Sequence, residues 1–227
     1  MSRVTLAVPT YRRYDLLAQL LVPSAERGTR APDRYYIVDN GGSLDPAAYG
    51  LPTVKTEIYR AGRNLGVGPS WNHVMKTQVP EDDSEIVIFA CDDMDLWPTT
   101  IEKLVEAAEA QRDVGFFFPQ HNAHTMFGVF LMRRWLHQSV GDFDENLWPA
   151  YFEDNDYVRR MNLAGIKSVS VPDCGMNHVG SGTLKSFNED ELNEHHSRFE
   201  GLRLYYTRKW GGDPGHESFT VPFDGKK

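Results

Sequence analysis

An uninterrupted apolar run, Ile86-Val-Ile-Phe-Ala90, opens directly into an acidic turn, Cys91-Asp-Asp-Met-Asp95. A short run rich in β-branched and aromatic residues, without polar alternation, reads as a strand buried on both faces. Strands of that kind belong to sheets covered by helices, and such sheets take their ligands in the crevice outside the carboxyl ends of the strands. Two or three carboxylates at that rim can hold a hard cation, which points to chemistry on a phosphate-bearing substrate.

The remainder of the first half repeats the alternation of short β-type runs with helical ones. Strands are predicted at Val4 to Val8, Tyr35 to Val38, Val54 to Tyr59 and Glu85 to Ala90. Helices are predicted at Asp15 to Arg27, Pro69 to Gln78 and Thr99 to Arg112, the last with Ile101, Leu104, Val105 and Ala108 at helical spacing. Each strand stops at a polar or glycine-containing loop: Pro9-Thr-Tyr-Arg12, Asp39-Asn-Gly-Gly42, Arg60-Ala-Gly-Arg-Asn-Leu-Gly66 and the acidic turn. In a parallel sheet these loops converge on one rim.

The second half is less regular. Val114 to Phe118, Met126 to Met132 and Ile166 to Val171 read as strands, Tyr151 to Ala164 as a helix opening on acids, and Glu189 to Trp210 as a polar helical region. The loop from Asp173 to Thr183 has the glycine and serine content of a lid, and the tail from Gly211 packs as an arm or frays.

With 227 residues and 41% hydrophobic content, the chain can bury a sizeable core as one unit, 1–227. Its net charge of −8 provides no basic surplus for non-specific binding to nucleic acid or an anionic membrane. The apolar start is too short for a signal sequence, and no stretch reaches membrane-spanning length, so a cytoplasmic protein is expected. Cys91 and Cys174 form no paired motif; Cys91 reads as a buried strand residue. Association into a homo-oligomer is left open.

Taken in order, the opening Val4-Thr-Leu-Ala-Val-Pro-Thr-Tyr-Arg-Arg13, Tyr35-Tyr-Ile-Val-Asp-Asn-Gly-Gly-Ser43, Arg63-Asn-Leu-Gly66 with Asn72, the acidic turn, Val140-Gly-Asp-Phe-Asp-Glu145, and Phe152-Glu-Asp-Asn-Asp156 with Arg159 form an ordered set. The set resembles family 2 glycosyltransferases of the GT-A fold, over about residues 3–183. The resemblance implies an α/β, Rossmann-type, mixed and mostly parallel sheet flanked by helices. Residues 1–112 would form a nucleotide-binding half and 113–188 an acceptor and catalytic half, with 189–227 a C-terminal helical region and tail. It also implies transfer of a sugar, with inversion, from a UDP-, dTDP- or GDP-linked donor to a hydroxyl on a glycan, lipid-linked saccharide, protein or modified nucleic acid.

By the same resemblance Thr10, Tyr11 and Asp39 are nucleotide contacts, and Pro9, Arg13, Asn40, Arg63, Asn64, Asn72 and Asp92 belong with them around the nucleotide sugar. Asp39 read alone is equally an Asx turn after a strand. The family pattern is Asp-x-Asp, and the chain permits two frames: one ends at Asp93 with Cys91 at its first position, the other uses Asp93 and Asp95. Asp93 is the expected ligand for Mn²⁺ or Mg²⁺ in either frame. His178 matches a histidine that completes the metal shell in several members; imidazole suits Mn²⁺ better than Mg²⁺.

Asp154 corresponds to the catalytic base that takes the acceptor proton, and Glu153 orients the site or the acceptor. At about 100° per residue Asp156 faces away from Asp154 and pairs instead with Arg160. Trp148 and Tyr151 are either a stacking wall for the acceptor or ordinary core aromatics. His121 and His124 lack a following acidic partner and belong to the acceptor side or a turn.

Three other readings compete. Gly62-Arg-Asn-Leu-Gly-Val-Gly68 and Tyr205-Tyr-Thr-Arg-Lys209 imitate short-chain dehydrogenase signatures, but that fold carries its glycine loop after the first strand. A sugar-nucleotide pyrophosphorylase needs a glycine-rich loop after the first strand, where Pro9-Thr-Tyr-Arg-Arg13 has no glycine. A glycan- or nucleotide-binding module without turnover would not need both Asp93 and Asp154.

Overall fold

Seven strands pair into one sheet in the order β3-β2-β1-β4-β7-β6-β8, where β1 is Arg3–Thr10, β2 Arg34–Asp39, β3 Thr56–Tyr59, β4 Glu85–Ala90, β6 Phe116–Pro119, β7 Val129–Met132 and β8 Ser168–Val171. The computed structural model describes residues 2–82, 84–121, 126–180 and 184–226; His124 and residues 181–183 of the expected lid lie outside them. β1 pairs in parallel with β2 and β4, β2 with β3, and β6 with β8, whereas β7 runs antiparallel to both β4 and β6. The sheet is therefore mixed and mostly parallel, and the ends of β1, β2 and β4 lie at one rim.

Alternation along β1 explains the layering. Val4, Leu6 and Val8 face a core shared with Leu17, Leu21, Ile101, Leu104 and Val105, while Ala7 faces a second core with Trp71, Val74, Phe89, Phe130 and Tyr157. The continuous helical stretch Tyr14–Leu16, Leu17–Leu21 and Val22–Glu26 and the helix Thr100–Ala110 thus cover one face. The helices Val67–Thr77 and Glu153–Leu163 cover the other. Trp71 has ring centroids of Phe130, Phe143 and Phe127 at 5.2, 5.0 and 5.6 Å, the separations favoured by aromatic pairs.

The differences from the sequence reading are local. The expected strand start at Val54 is a turn of 3-10 helix, Thr53–Lys55. The acidic helix begins at Glu153, because Tyr151 and Phe152 have φ of 87° and 68° and cannot be helical. Two three-residue strands, β5 Met94–Leu96 and β9 Met176–His178, form a separate antiparallel pair, and a short helix spans Arg134–Val140. Such short pieces carry no readable period. Glu189–Trp210 is one 22-residue helix, and the tail folds back on its end through hydrogen bonds from the Ser218 and Phe219 amides to the Trp210 carbonyl. Among the described residues no helix is long and apolar enough to cross a membrane.

Candidate active site

A cavity of 640 Å³ opens at the carboxyl rim of the sheet. Its walls include the β1 loop (Pro9, Thr10, Tyr11), the turn after β4 (Cys91, Asp92, Asp93), the segment running into the acidic helix (Pro149 to Asn155), and His178. The sheet topology thus gathers into one cavity acids lying about 60 residues apart in the chain.

Asp93 owes its place to the β5–β9 ribbon. Met94 stands opposite His178 in that pairing, and the Val179 amide bonds the Asp93 carbonyl at 3.2 Å. The imidazole Nε2 of His178 consequently lies 3.1 Å from Asp93 Oδ2. That hydrogen bond raises the imidazole pKa against the opposing effect of burial. Asp95 alternates away: it is not in the cavity wall and instead accepts from Asn177 Nδ2 at 3.3 Å. Of the acids in the two Asp-x-Asp frames, Asp93 lines the cavity beside His178 and Asp95 does not. Cys91 is half-buried and in the cavity wall, one residue beyond the strand, with its Sγ 3.7 Å from the Phe127 carbonyl.

Among the described residues no three His, Cys, Asp or Glu side chains converge closely enough to hold a cation by themselves. One carboxylate and one imidazole still fit a cation whose other positions are filled by water and substrate phosphates.

Asp92 accepts the Thr10 hydroxyl at 2.7 Å, and burial with the charge of Asp93 pushes its pKa up to about 7. Glu153 is 6% exposed; burial, then the neighbouring charge of Asp154, lifts its pKa to about 8, and its Oε2 is buried without a hydrogen-bond partner. Burial also raises Asp154, partly offset by the Asn155 amide at 2.7 Å. Burial thus biases Glu153 and Asp92 toward their protonated forms, which lowers the repulsion among four acids in one cavity.

Backbone strain positions the Glu153–Asp154 pair. Left-handed Tyr151 and Phe152 each cost about 1–3 kcal/mol, and aromatic packing from a distant helix offsets this. Phe152 lies 5.3 Å from Phe199 and 5.6 Å from Tyr206, and Tyr151 lies 5.2 Å from Phe199. Gly66 fixes the approach from the other side. Its φ is 83°, the Val67 amide bonds the Pro149 carbonyl at 2.7 Å, and a Cβ on Gly66 would stand 2.6 Å from that same oxygen.

Other residues singled out in the sequence lie elsewhere. Asp39 is outside the cavity wall and 1% exposed. Its oxygens accept from Tyr14 Oη at 2.7 Å and from the amides of Gly41, Gly42 and Leu44 at 3.1, 2.8 and 2.9 Å, so it organises the loop after β2. Arg13 also lies outside the wall and is forked onto Asp15. Asn40 and Asn64 do reach the cavity; Asn40 bonds Ser70 and the Leu65 amide. Arg63, Asn72 and Trp148 instead line a separate 710 Å³ groove along the Val67–Thr77 helix, which among the described residues shares Asn64 with the first cavity. Within it, Asn72 clasps Phe143 through both main-chain atoms, at 2.7 and 3.0 Å.

Asp156 turns away from the cavity, as its helical phase requires, and bonds Arg160 Nε at 2.9 Å. It also meets Lys209 Nζ at 2.5 Å and Trp210 Nε1 at 2.9 Å, while Lys209 reaches Asp144 at 2.6 Å beside Tyr205 Oη at 2.8 Å. Lys209 therefore clamps the C-terminal helix to the acidic one, Tyr205 ties it to the preceding loop at Asp144, and neither lines the cavity. The sequence reading missed Phe187, His195 and Phe199, which complete the cavity wall. The four-residue step from His195 to Phe199 was the signal for those two, and a polar helix obscured it.

No protein-family model matches the chain. A "Galactofuranosyl glycosyltransferase" of Leishmania donovani is 43% identical over 51 residues, which is 22% of this chain and 11% of that protein's length. Among solved structures, a mannosyltransferase, PcManGT from Pyrobaculum calidifontis, in complex with GDP-Man and Mn2+, superposes with a TM-score of 0.58 at 16% identity, covering 90% of this chain and 70% of that one. S. aureus TarS 1-349 superposes with a TM-score of 0.59 at 15% identity, covering 91% and 73%. At these identities the likeness establishes the fold, a GT-A-like α/β arrangement.

Proposed function

We propose that the chain is a glycosyltransferase that moves a sugar from a UDP-, dTDP- or GDP-linked donor to an acceptor hydroxyl with inversion. The observation that carries this reading is that Asp93 with His178 and Glu153 with Asp154 open on one cavity together with the Pro9-Thr-Tyr11 loop. The short identity to a galactofuranosyl glycosyltransferase and the fold shared with a mannosyltransferase holding GDP-Man support it.

The chemistry follows from the side chains. Asp154, ionised but partly shielded from water, accepts the proton of the acceptor hydroxyl. The hydroxyl oxygen then bonds the anomeric carbon as the bond from that carbon to the donor's phosphate oxygen breaks, and the electron pair leaves with the diphosphate. A single displacement of this kind inverts the anomeric centre. Asp93 and His178 would hold Mn²⁺ or Mg²⁺ with the donor's phosphates, supplying positive charge against the departing diphosphate. Burial biases Glu153 toward its protonated form, which leaves Asp154 as the base. In this scheme 1–112 serves mainly the nucleotide, 113–188 the chemistry, and the 189–227 region encloses the site.

Thermal-shift titration of UDP-, dTDP- and GDP-linked sugars, with Mn²⁺ and with a chelator, tests the reading. One donor class should stabilise the protein in a metal-dependent way, and the absence of any response to all of them would refute it.

A further inference from the structure

The Glu189–Trp210 helix carries His195, Phe199, Leu202, Tyr206 and Trp210 at steps of three and four residues, hence on one face. Its lower half behaves as such a stripe should: Leu202, Tyr206 and Trp210 are buried against Leu147 and Phe152. The upper half changes partner. His195 and Phe199 are half-buried, and with Tyr151 and Phe187 they face the cavity. Tyr151 stands edge-on to His195 at 5.3 Å and to Phe199 at 5.2 Å, and Phe187 edge-on to His195 at 6.1 Å.

This aromatic wall is held in place at both ends. Asn188 and Glu191 form a capping box, Glu191 pairs with Arg12 of the β1 loop at 2.9 Å, and Lys209 anchors the far end between Asp144 and Asp156. A preformed wall loses little freedom when a ligand settles on it. The same cavity also presents the buried, unpartnered Oε2 of Glu153. An unsatisfied buried polar atom points to a ligand group that would satisfy it.

We propose that Tyr151, Phe187, His195 and Phe199 together with Glu153 form an acceptor subsite for a sugar ring, whose C–H face lies on the aromatic wall while a ring hydroxyl bonds Glu153. The proposal rests on the glycosyl-transfer reading and names its acceptor class. A ring with one apolar face and polar edges matches a site with an aromatic wall and a buried acid. An alkyl chain has no group for Glu153, and a serine or threonine side chain offers no flat face of ring size.

Saturation-transfer NMR on the full chain tests it. The probes are methyl α-mannopyranoside, methyl β-galactopyranoside and methyl β-galactofuranoside, with 1-octanol as the apolar control, and the donor titration is run on the same sample. At least one glycoside should receive saturation at its ring C–H protons. Phe199→Leu should weaken that glycoside's binding about 2- to 10-fold, the scale of an aromatic contact, without altering the donor titration. His195→Gln, at a half-exposed position, gives the same readout if the first variant does not fold. Silent glycosides beside a responding donor overturn the subsite alone, and signal from 1-octanol only overturns the carbohydrate assignment. Failure of donors and glycosides together overturns the transfer reading as well.

Discussion

Asp93 and His178 stand 85 positions apart in the chain, yet their Oδ2 and Nε2 atoms lie 3.1 Å from each other in the wall of the acidic cavity. Neither sits on the main sheet. The two-stranded ribbon of β5 and β9 brings them together, so the pairing depends on three-residue strands whose register is fixed by Met94 opposite His178.

If that pair holds the cation, Asp93→Ala should weaken metal-dependent donor binding at least about tenfold, and His178→Ala should act in the same direction. Calorimetric titration of the donor with and without Mn²⁺ checks this. Superimposable curves for wild type and Asp93→Ala would remove Asp93 from the ligand set.

Asp154→Asn keeps the shape of the side chain and removes its basicity. Turnover should fall by about 10²–10⁴-fold, the usual range for a general base, while donor affinity stays within about twofold. Steady-state kinetics beside donor titration separates the two effects, and unchanged turnover would clear Asp154 of the role. Because burial raises its pKa, the acid limb of the rate profile should lie above the ordinary aspartate range, with activity lost as pH falls through that limb.

Glu153 predicts the opposite sign for stability. Its folded-state pKa of about 8 lies above the ordinary 4.5, so the folded chain binds more protons than the unfolded one between those values. The stability that Glu153 contributes therefore declines as pH rises from about 5 to 8. Glu153→Gln should flatten that decline in denaturant melts recorded in chelator at pH 5, 6.5 and 8. Parallel slopes for the two proteins would show that Glu153 does not contribute.

Lys209 neutralises a buried acid, Asp156, and a half-buried one, Asp144, and the balance at Asp144 shows its effect: burial favours the protonated form, yet the hydrogen bond and charge of Lys209 prevail and hold the carboxyl below its usual range. Lys209→Met leaves Asp144 without its cation and Asp156 with the charge of Arg160 and the hydrogen bond from Trp210 Nε1. A loss of about 3–5 kcal/mol is expected from breaking a buried pair on one side. Urea denaturation measures it, and a loss under about 1 kcal/mol would mean that the clamp contributes little.

Much of the plan was legible from local pattern. Unbroken apolar runs ending in Asp39 and in Asp92-Asp93 marked strand ends, and the Glu189–Trp210 helix followed from its polar spacing. What could not be read was the use to which each acid is put. Asp39 and Asp93 look alike as acids after strands, yet four neighbouring donors take up the first, whereas the second faces the cavity. Asp95 is separated from Asp93 by one residue and points elsewhere because a strand alternates its side chains.

The sequence by itself determined the layered α/β sheet and the rim on which its loops gather, because both follow from unbroken apolar strand runs and from helical spacing of 3.6 residues that each segment carries alone. Only the tertiary structure decided that Asp93 meets His178, that Tyr205 and Lys209 clamp a helix, and that Phe199 walls the cavity. Those contacts join residues tens of positions apart, and register and packing between elements set them, which no local spacing encodes.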